Sequence, residues 1–193
     1  MHPFSWLYVR MLLWAGHPRA PWYLGTLSFA ESSFFPIPPD VMLAPMSLAR
    51  PQRAMWYATV TTLASVAGGV LGYFIGYFAL SLVEPWIQTA GQYDAYQQAR
   101  DWFADWGFWV VLLAGFSPIP YKVFTIAAGA MGVGLLPFIV ASLVGRGSRF
   151  FAVAGLVSWG GPKVEPLLRA WIDRLGWATV ALLVFGYVIY QVL

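Results

Sequence analysis

The sequence predicts an all-α integral membrane protein. Two Pro-broken re-entrant hairpins of inverted orientation pack with transmembrane helices and amphipathic interfacial helices. Three observations predict this. The first is composition: 60% of the 193 residues are hydrophobic, 18% aromatic and 10% charged, where a soluble domain carries about 25% charged residues. Mean hydropathy is +0.66. The second is an internal repeat. Gly25…Phe34-x-Pro36-Ile37-Pro38-x-x-Val41 matches Gly107…Phe116-x-Pro118-Ile119-Pro120-x-x-Val123, with every pair 82 residues apart (118 − 36 = 82). Pro-broken apolar segments in corresponding positions of two halves mark the sites of inverted-repeat membrane proteins. The third is charge asymmetry. With 22–49 and 107–136 as hairpins, Arg10, Arg19, Arg50, Arg53, Lys163, Arg169 and Arg174 share one side and Arg100 takes the other. With both as full spans, Arg10, Arg19, Arg100, Lys163, Arg169 and Arg174 face Arg50 and Arg53. The hairpin arrangement satisfies the positive-inside rule better. It also inverts the two copies, because one full crossing separates them.

The elements follow in order. Residues 4–20 mix Trp6, Leu7, Leu12 and Trp14 with Arg10 and Arg19, which suits an interfacial helix. These arginines interrupt the apolar run, so no cleavable signal peptide is expected. Residues 22–35 are apolar but too short to cross a bilayer, which takes about 20 residues. Pro36, Pro38 and Pro39 stop that helix, because each lacks an N–H and restricts its predecessor. A short helix is expected at 40–49 and a long span at 54–83. Gly68, Gly72 and Gly76 lie four apart on the span and offer a close-packing face. Residues 84–106 are polar and amphipathic, 107–117 apolar, and Pro118 and Pro120 break the chain before 123–136. A span at 137–159 carries Arg146 and Arg149. An amphipathic stretch at 161–175 and an apolar run at 176–193 complete a single membrane domain. Its first repeat is 1–83 and its second 84–159, followed by 160–193.

A further pair, Val83-Glu84-Pro85 and Val164-Glu165-Pro166, reads as two helix starts, with Pro inside the first turn beside an acid. Trp56, Tyr57, Trp86, Trp159 and Trp177 suit interfacial belts.

Five ionisable residues fall where the bilayer core should be: Glu31, Asp40, Lys122, Arg146 and Arg149. Each costs about 2.5–3.5 kcal/mol at a helix centre. One reading is mutual salt-bridging that locks the hairpins together. The other is a binding site. Two carboxylates against three cations leave an excess of positive charge, which suits an anionic ligand, and the planar fork of Arg suits phosphate. Arg146 and Arg149 are three apart and point the same way from their helix. At the repeat offset Asp40 corresponds to Lys122, so the two breaks are expected to meet with these residues close.

Other chemistry is not indicated. There is no Walker loop, no His/Asp/Glu cluster with metal-ligand spacing and no cysteine, so no cofactor, metal or catalytic residue is assigned. His2 and His17 are isolated near the N-terminus. Ser32, Ser33 and Ser117 have no histidine nearby and are expected to cap freed backbone groups. A net charge of +3 is too small and dispersed for nucleic acid.

Glu31-x-x-x-x-Pro36-x-Pro38-x-Asp40 resembles the first-half signature of the DedA family, also called the VTT or SNARE-associated family. Phe116-x-Pro118-x-Pro120-x-Lys122 with Ala127-Ala128-Gly129 is similar to its second-half signature. Gly145-Arg146-x-x-Arg149-Phe150 resembles the small YqaA-type branch. The resemblance covers roughly residues 20–160. It implies two opposed re-entrant hairpins and a flippase for undecaprenyl phosphate or phospholipid, dependent on the proton-motive force, in a multi-pass bacterial inner-membrane protein. Gly115 and Tyr121 stand where the main branch places arginines, so the cationic contribution is expected from Lys122, Arg146 and Arg149.

The expected function is therefore transfer of an anionic lipid headgroup. Lys122, Arg146 and Arg149 would bind the phosphate, and Glu31 and Asp40 would gate or take up a proton. Two rivals stay open. One is a proton-coupled transporter of a small cation or solute, and the other a non-transporting scaffold for envelope enzymes. Oligomeric state is also open, a homo-oligomer included.

Overall fold

The computed structural model describes residues 17, 19–33, 37–89, 93–117 and 120–161. Most of the expected N-terminal interfacial helix and all of 162–193 lie outside these. The described residues are helical, with no strand among them. They form α1 (Ala20–Ser33), α2 (Asp40–Ala49), α3 (Ala54–Thr89), α4 (Tyr93–Phe116), α5 (Tyr121–Ala130) and α6 (Leu135–Gly160), with a single 3₁₀ turn at Pro51–Arg53.

The prolines set the breaks. α1 ends at Ser33 and α2 starts at Asp40, on either side of Pro36–Pro39. α4 ends at Phe116 and α5 starts at Tyr121, on either side of Pro118 and Pro120. Three of the four flanking helices are short: α1 has 14 residues and α2 and α5 have 10 each. α3 and α6 are the long apolar elements. Pro51–Leu80 and Leu135–Gly160 are long and apolar enough to cross a membrane.

Three expectations need correction. α3 does not stop at 83; it runs through Pro85 to Thr89. Val83-Glu84-Pro85 therefore closes a helix where the sequence suggested that it opens one. A long helix can carry a proline near its end, at the cost of a ladder bond and a local clash with the carbonyl four residues before, so the motif alone does not define direction. α4 begins at Tyr93 and is continuous across the polar-to-apolar change at 107. Tyr57 is not interfacial: it is 1% exposed in the core, whereas its neighbour Trp56 is exposed.

The turn from α5 into α6 is a Schellman motif. Gly132 has φ of +72°, and the Gly132 and Val133 amides donate to the carbonyls of Gly129 and Ala128 at 3.2 and 3.0 Å. The Tyr73 hydroxyl donates to the Val133 carbonyl at 2.5 Å, fixing the turn against α3.

The two repeats are interleaved. α3 packs on α1 of its own half and on α5 of the other, while α6 packs on α4 and α2. The glycine face of α3 makes this possible. A Cβ on Gly68 would lie 2.1 Å from the Phe29 carbonyl oxygen of α1, and one on Gly76 would lie 1.9 Å from the Ile126 carbonyl oxygen of α5. Between them, a Cβ on Gly72 would lie 2.4 Å from Thr125 Oγ1 of α5. One stripe of small residues thus serves two partners.

Two apolar clusters result. One joins Leu24, Leu43, Met46, Tyr57, Phe150 and Ala154. The other joins Tyr73, Val111, Tyr121, Ala128, Phe138 and Ala141. On α3 and α6 alike, a polar segment separates the two. It comprises Thr61, Thr62 and Ser65 on α3 and Ser142, Arg146 and Arg149 on α6, and the first five of these are buried.

Candidate functional site

Four of the five expected charges meet in this polar layer as two pairs. Arg146 is 2% exposed. Its Nη2 donates to Glu31 Oε2 of α1 and, at 3.4 Å, to Ser32 Oγ. Its Nε donates to Ser65 Oγ of α3 at 2.7 Å. Ser32 Oγ donates to Glu31 Oε2 at 3.0 Å and lies 2.7 Å from Ser65 Oγ. One proton arrangement satisfies all of these contacts. An ionised Glu31 only accepts, Ser32 donates to it, and Ser65 donates to Ser32 while accepting from Arg146. The guanidinium carbon lies 4.9 Å from the Tyr121 ring centroid and 4.7 Å from that of Phe150, so two aromatic faces attract the cation. The Tyr121 hydroxyl is held by Ser142, whose own hydroxyl donates to the Phe138 carbonyl at 2.6 Å.

The second pair is more open. Arg149 Nη2 donates to Asp40 Oδ2 at 2.5 Å, and the two side chains are 18% and 17% exposed. Arg149 Nη1 donates to the Ser117 carbonyl at 2.6 Å. Both acceptors are products of the prolines. Asp40 opens α2 directly after the first break, where the helix N-terminus favours a carboxylate. Ser117 follows the last residue of α4, and Pro118 prevents a continuing helix from using its carbonyl. A single guanidinium from α6 therefore holds both chain breaks. Asp40 Oδ1 is buried and has no hydrogen-bond partner among the described residues.

Lys122 is half-buried in the first turn of α5, beside Tyr121. Its main-chain carbonyl accepts from Thr125 Oγ1 at 2.9 Å. Asp40, expected near it, is engaged by Arg149. The prolines Pro38 and Pro120 flank α2 and α5 as expected; Pro36 and Pro118 lie outside the described residues. Of the serines expected to cap backbone, Ser33 does so, donating to the carbonyls of Phe29 at 2.8 Å and Gly68 at 3.0 Å. Ser32 instead belongs to the Arg146 network.

Sequence reasoning missed Tyr121, Phe150 and Ser65 as partners of Arg146, and Ser142 as the group that holds Tyr121. Two signals were present: Ser142 lies four residues before Arg146 on one helix face, and Ser65 lies four residues after Thr61, so both hydroxyls share one face of a largely apolar span. Among the described residues, no three His, Asp or Glu side chains converge so as to hold a metal ion.

A family model described as the VTT domain matches residues 37–158, from the first break to the end of α6. The chain belongs to the VTT-domain (DedA) family. It is thus a membrane protein, and its two long apolar helices are consistent with that. Within the VTT-domain match lie Asp40, Lys122, Arg146 and Arg149, while Glu31 precedes it. Relatives of this VTT-domain protein include an uncharacterized protein of Haemophilus influenzae, 46% identical over 191 residues, covering 99% of this chain and all of that one. An uncharacterized protein of Histophilus somni is 43% identical over the same shares. Undecaprenyl phosphate transporter A of Staphylococcus aureus is 25% identical over 121 residues, 56% of this chain and 58% of that protein. No solved structure matches.

Proposed function

We propose that this VTT-domain protein is a transporter that moves an anionic lipid headgroup, the phosphate of a polyprenyl phosphate or phospholipid, across the bacterial inner membrane. The observation that carries the reading is the bridging role of Arg149. Its guanidinium spans the two breaks through Asp40 and the Ser117 carbonyl. A phosphate that took over the Arg149 fork would release both breaks at once, which couples binding to opening of the path. Protonation of Asp40 would release the same fork, and this gives a route for proton coupling. The two arginines divide the work. Arg146, enclosed by Glu31, two serines and two rings, is the lock, and Arg149 is the exchangeable group. Lys122, at the start of α5, adds positive charge on the second break. The name of the Staphylococcus aureus relative supports a lipid phosphate as cargo.

The test is flipping in reconstituted vesicles. Labelled polyprenyl phosphate, phosphatidylglycerol and phosphatidylethanolamine are compared with and without a pH gradient. Arg149→Lys keeps the charge but loses the fork, and is expected to slow transport about tenfold, since hydrogen bonds to charged groups are worth about 1.5–3 kcal/mol. Arg149→Ala should be slower still, and Asp40→Asn should remove the response to the gradient. If Arg149→Ala folds normally and moves every lipid at the parent rate, the charges serve only as hairpin locks.

The chain on either side of each break, α1 with α2 and the end of α4 with α5, is read as two re-entrant hairpins entering from opposite faces. Arg50 and Arg53 then lie on the cytoplasmic side. A cysteine placed at Gln52, in the cysteine-free background, is expected to react with impermeant reagent only from the cytoplasm. Labelling from outside would eliminate the hairpin arrangement.

A further inference from the structure

A groove of about 590 Å³ runs along the outer seam between α1 and α3, lined by residues including Trp22, Gly25, Phe29, Trp56 and Ala64, with Arg53 at one end. It is separate from the Arg146–Arg149 layer and shares no residue with it. From these features we infer that the groove holds one acyl chain of an anionic diacyl phospholipid, with its phosphate on Arg53.

Four observations support that occupant. First, chemistry changes along the groove. Arg53 is its one charged lining residue, and it is exposed. No carboxylate pairs with Arg53 among the described residues. A guanidinium at the end of an apolar slot matches a phosphate above a hydrocarbon chain. Second, Trp22 and Trp56 beside that end are 78% and 58% exposed, as suits rings at headgroup level. Third, the rest of the groove is apolar in effect. The only hydroxyl in its lining, that of Thr26, is turned back onto the Trp22 and Tyr23 carbonyls at 2.9 and 3.0 Å, which leaves its methyl for the groove. From Trp56 to Ala64 the slot follows α3 for about 12 Å at the helical rise. It therefore runs into the bilayer, and its long direction suits a chain entering from the headgroup region.

The fourth observation is a difference between the repeats. Gly25 and Gly107 occupy the same repeat position. At Gly107 a Cβ would lie 2.7 Å from Val133 Cγ2, so the second half fills this space with its own side chain. At Gly25 the nearest atoms to a Cβ are Val60 Cγ1 at 3.5 Å and Ala64 Cβ at 3.9 Å. Nothing in the local packing requires glycine there, and its missing side chain deepens the groove. Basic pockets between transmembrane helices on the cytoplasmic side bind anionic headgroups in the leaflet that is rich in them. Under the hairpin topology, Arg53 lies on that side.

Native mass spectrometry of the full chain tests the inference. The protein is purified from vesicles holding equal dioleoyl phosphatidylglycerol and dioleoyl phosphatidylcholine, whose tails are identical. One phosphatidylglycerol per chain is expected to survive detergent exchange in preference to phosphatidylcholine. Gly25→Leu fills the groove without changing charge, and it raises helix propensity, so the fold should be kept. It should lower retention at least about fivefold, as should Arg53→Gln. Arg50→Gln, three residues away and outside the lining, should not. Equal retention of the two lipids by the parent overturns the proposal, as does full retention by Gly25→Leu. So does a disulfide between a cysteine at position 25 and one scanned through residues 4–14 that forms while phosphatidylglycerol is absent from the purified chain; the N-terminal segment would then be the occupant. The measurement requires no transport, so its outcome and that of the flipping experiment are independent.

Discussion

Arg146→Ala is expected to destabilise the protein by about 3–5 kcal/mol, the usual cost of removing one partner from a buried ion pair. Glu31 would lose its cation. Ser65 would lose a donor, and the space between the Tyr121 and Phe150 rings would empty. Arg146→Lys should recover only part of this, since an ammonium cannot serve Ser65 and Glu31 in one plane while stacking between two rings. The informative variant is the double change of Arg146→Met with Glu31→Gln. Replacing both members together leaves no uncompensated buried charge, the main cost of breaking such a pair, and Ser32 and Ser65 already face each other at 2.7 Å. The double variant should therefore melt closer to the parent than Arg146→Ala does. Thermal unfolding of detergent-purified protein, followed by size-exclusion recovery, measures all three. An Arg146→Ala protein that melts with the parent would remove the lock from Arg146.

Gly76→Val and Gly129→Val should each abolish recovery of folded protein. The Cβ on Gly76 meets the Ile126 carbonyl oxygen at 1.9 Å and that on Gly129 meets the Tyr73 carbonyl oxygen at 1.9 Å. These obstacles are backbone atoms of the opposing helix, so no rotamer relieves them. Overpacking a core typically costs about 1–3 kcal/mol when side chains can shift; here α3 and α5 must separate along their contact. Gly155→Ala is the control. Its Cβ finds only Met55 Cε at 3.6 Å, and the change should stabilise the helix by about 0.5–1 kcal/mol. Folded yield of the three variants side by side checks the argument. Normal yield of Gly76→Val would mean that α3 and α5 do not pack as closely as described.

The breaks were legible because proline acts locally. Two or three prolines within four residues, each without an N–H and each restricting its predecessor, end a helix where a single one such as Pro45 or Pro85 does not, and the boundaries at Ser33, Asp40, Phe116 and Tyr121 follow from those clusters. The close-packing face of α3 was legible from the spacing of Gly68, Gly72 and Gly76, though not that it serves two helices. The pairing of charges was less legible. Arg146 and Arg149, three apart, share a direction from α6, but one meets α1 and α3 and the other meets both breaks. That choice depends on where α1 and α2 lie, which no local rule supplies. Pro85 misled for a related reason. A proline beside an acid is favourable in a first turn and tolerable in a last one, and only the neighbouring chain decides.

The interleaving of the halves has a consequence for synthesis. α1, α2 and α3 emerge from the ribosome first, carrying Glu31, Asp40 and the Gly72–Gly76 face. The groups that neutralise and cover them belong to α5 and α6, and Arg146 and Arg149 are the last of these to be made. Until then the first half carries two carboxylates with no cation at their depth and an open seam along α3. It has the geometry of an unfinished assembly until α6 is in place. A chain released after α3 would lack both cations, since Glu31 waits for Arg146 and Asp40 for Arg149.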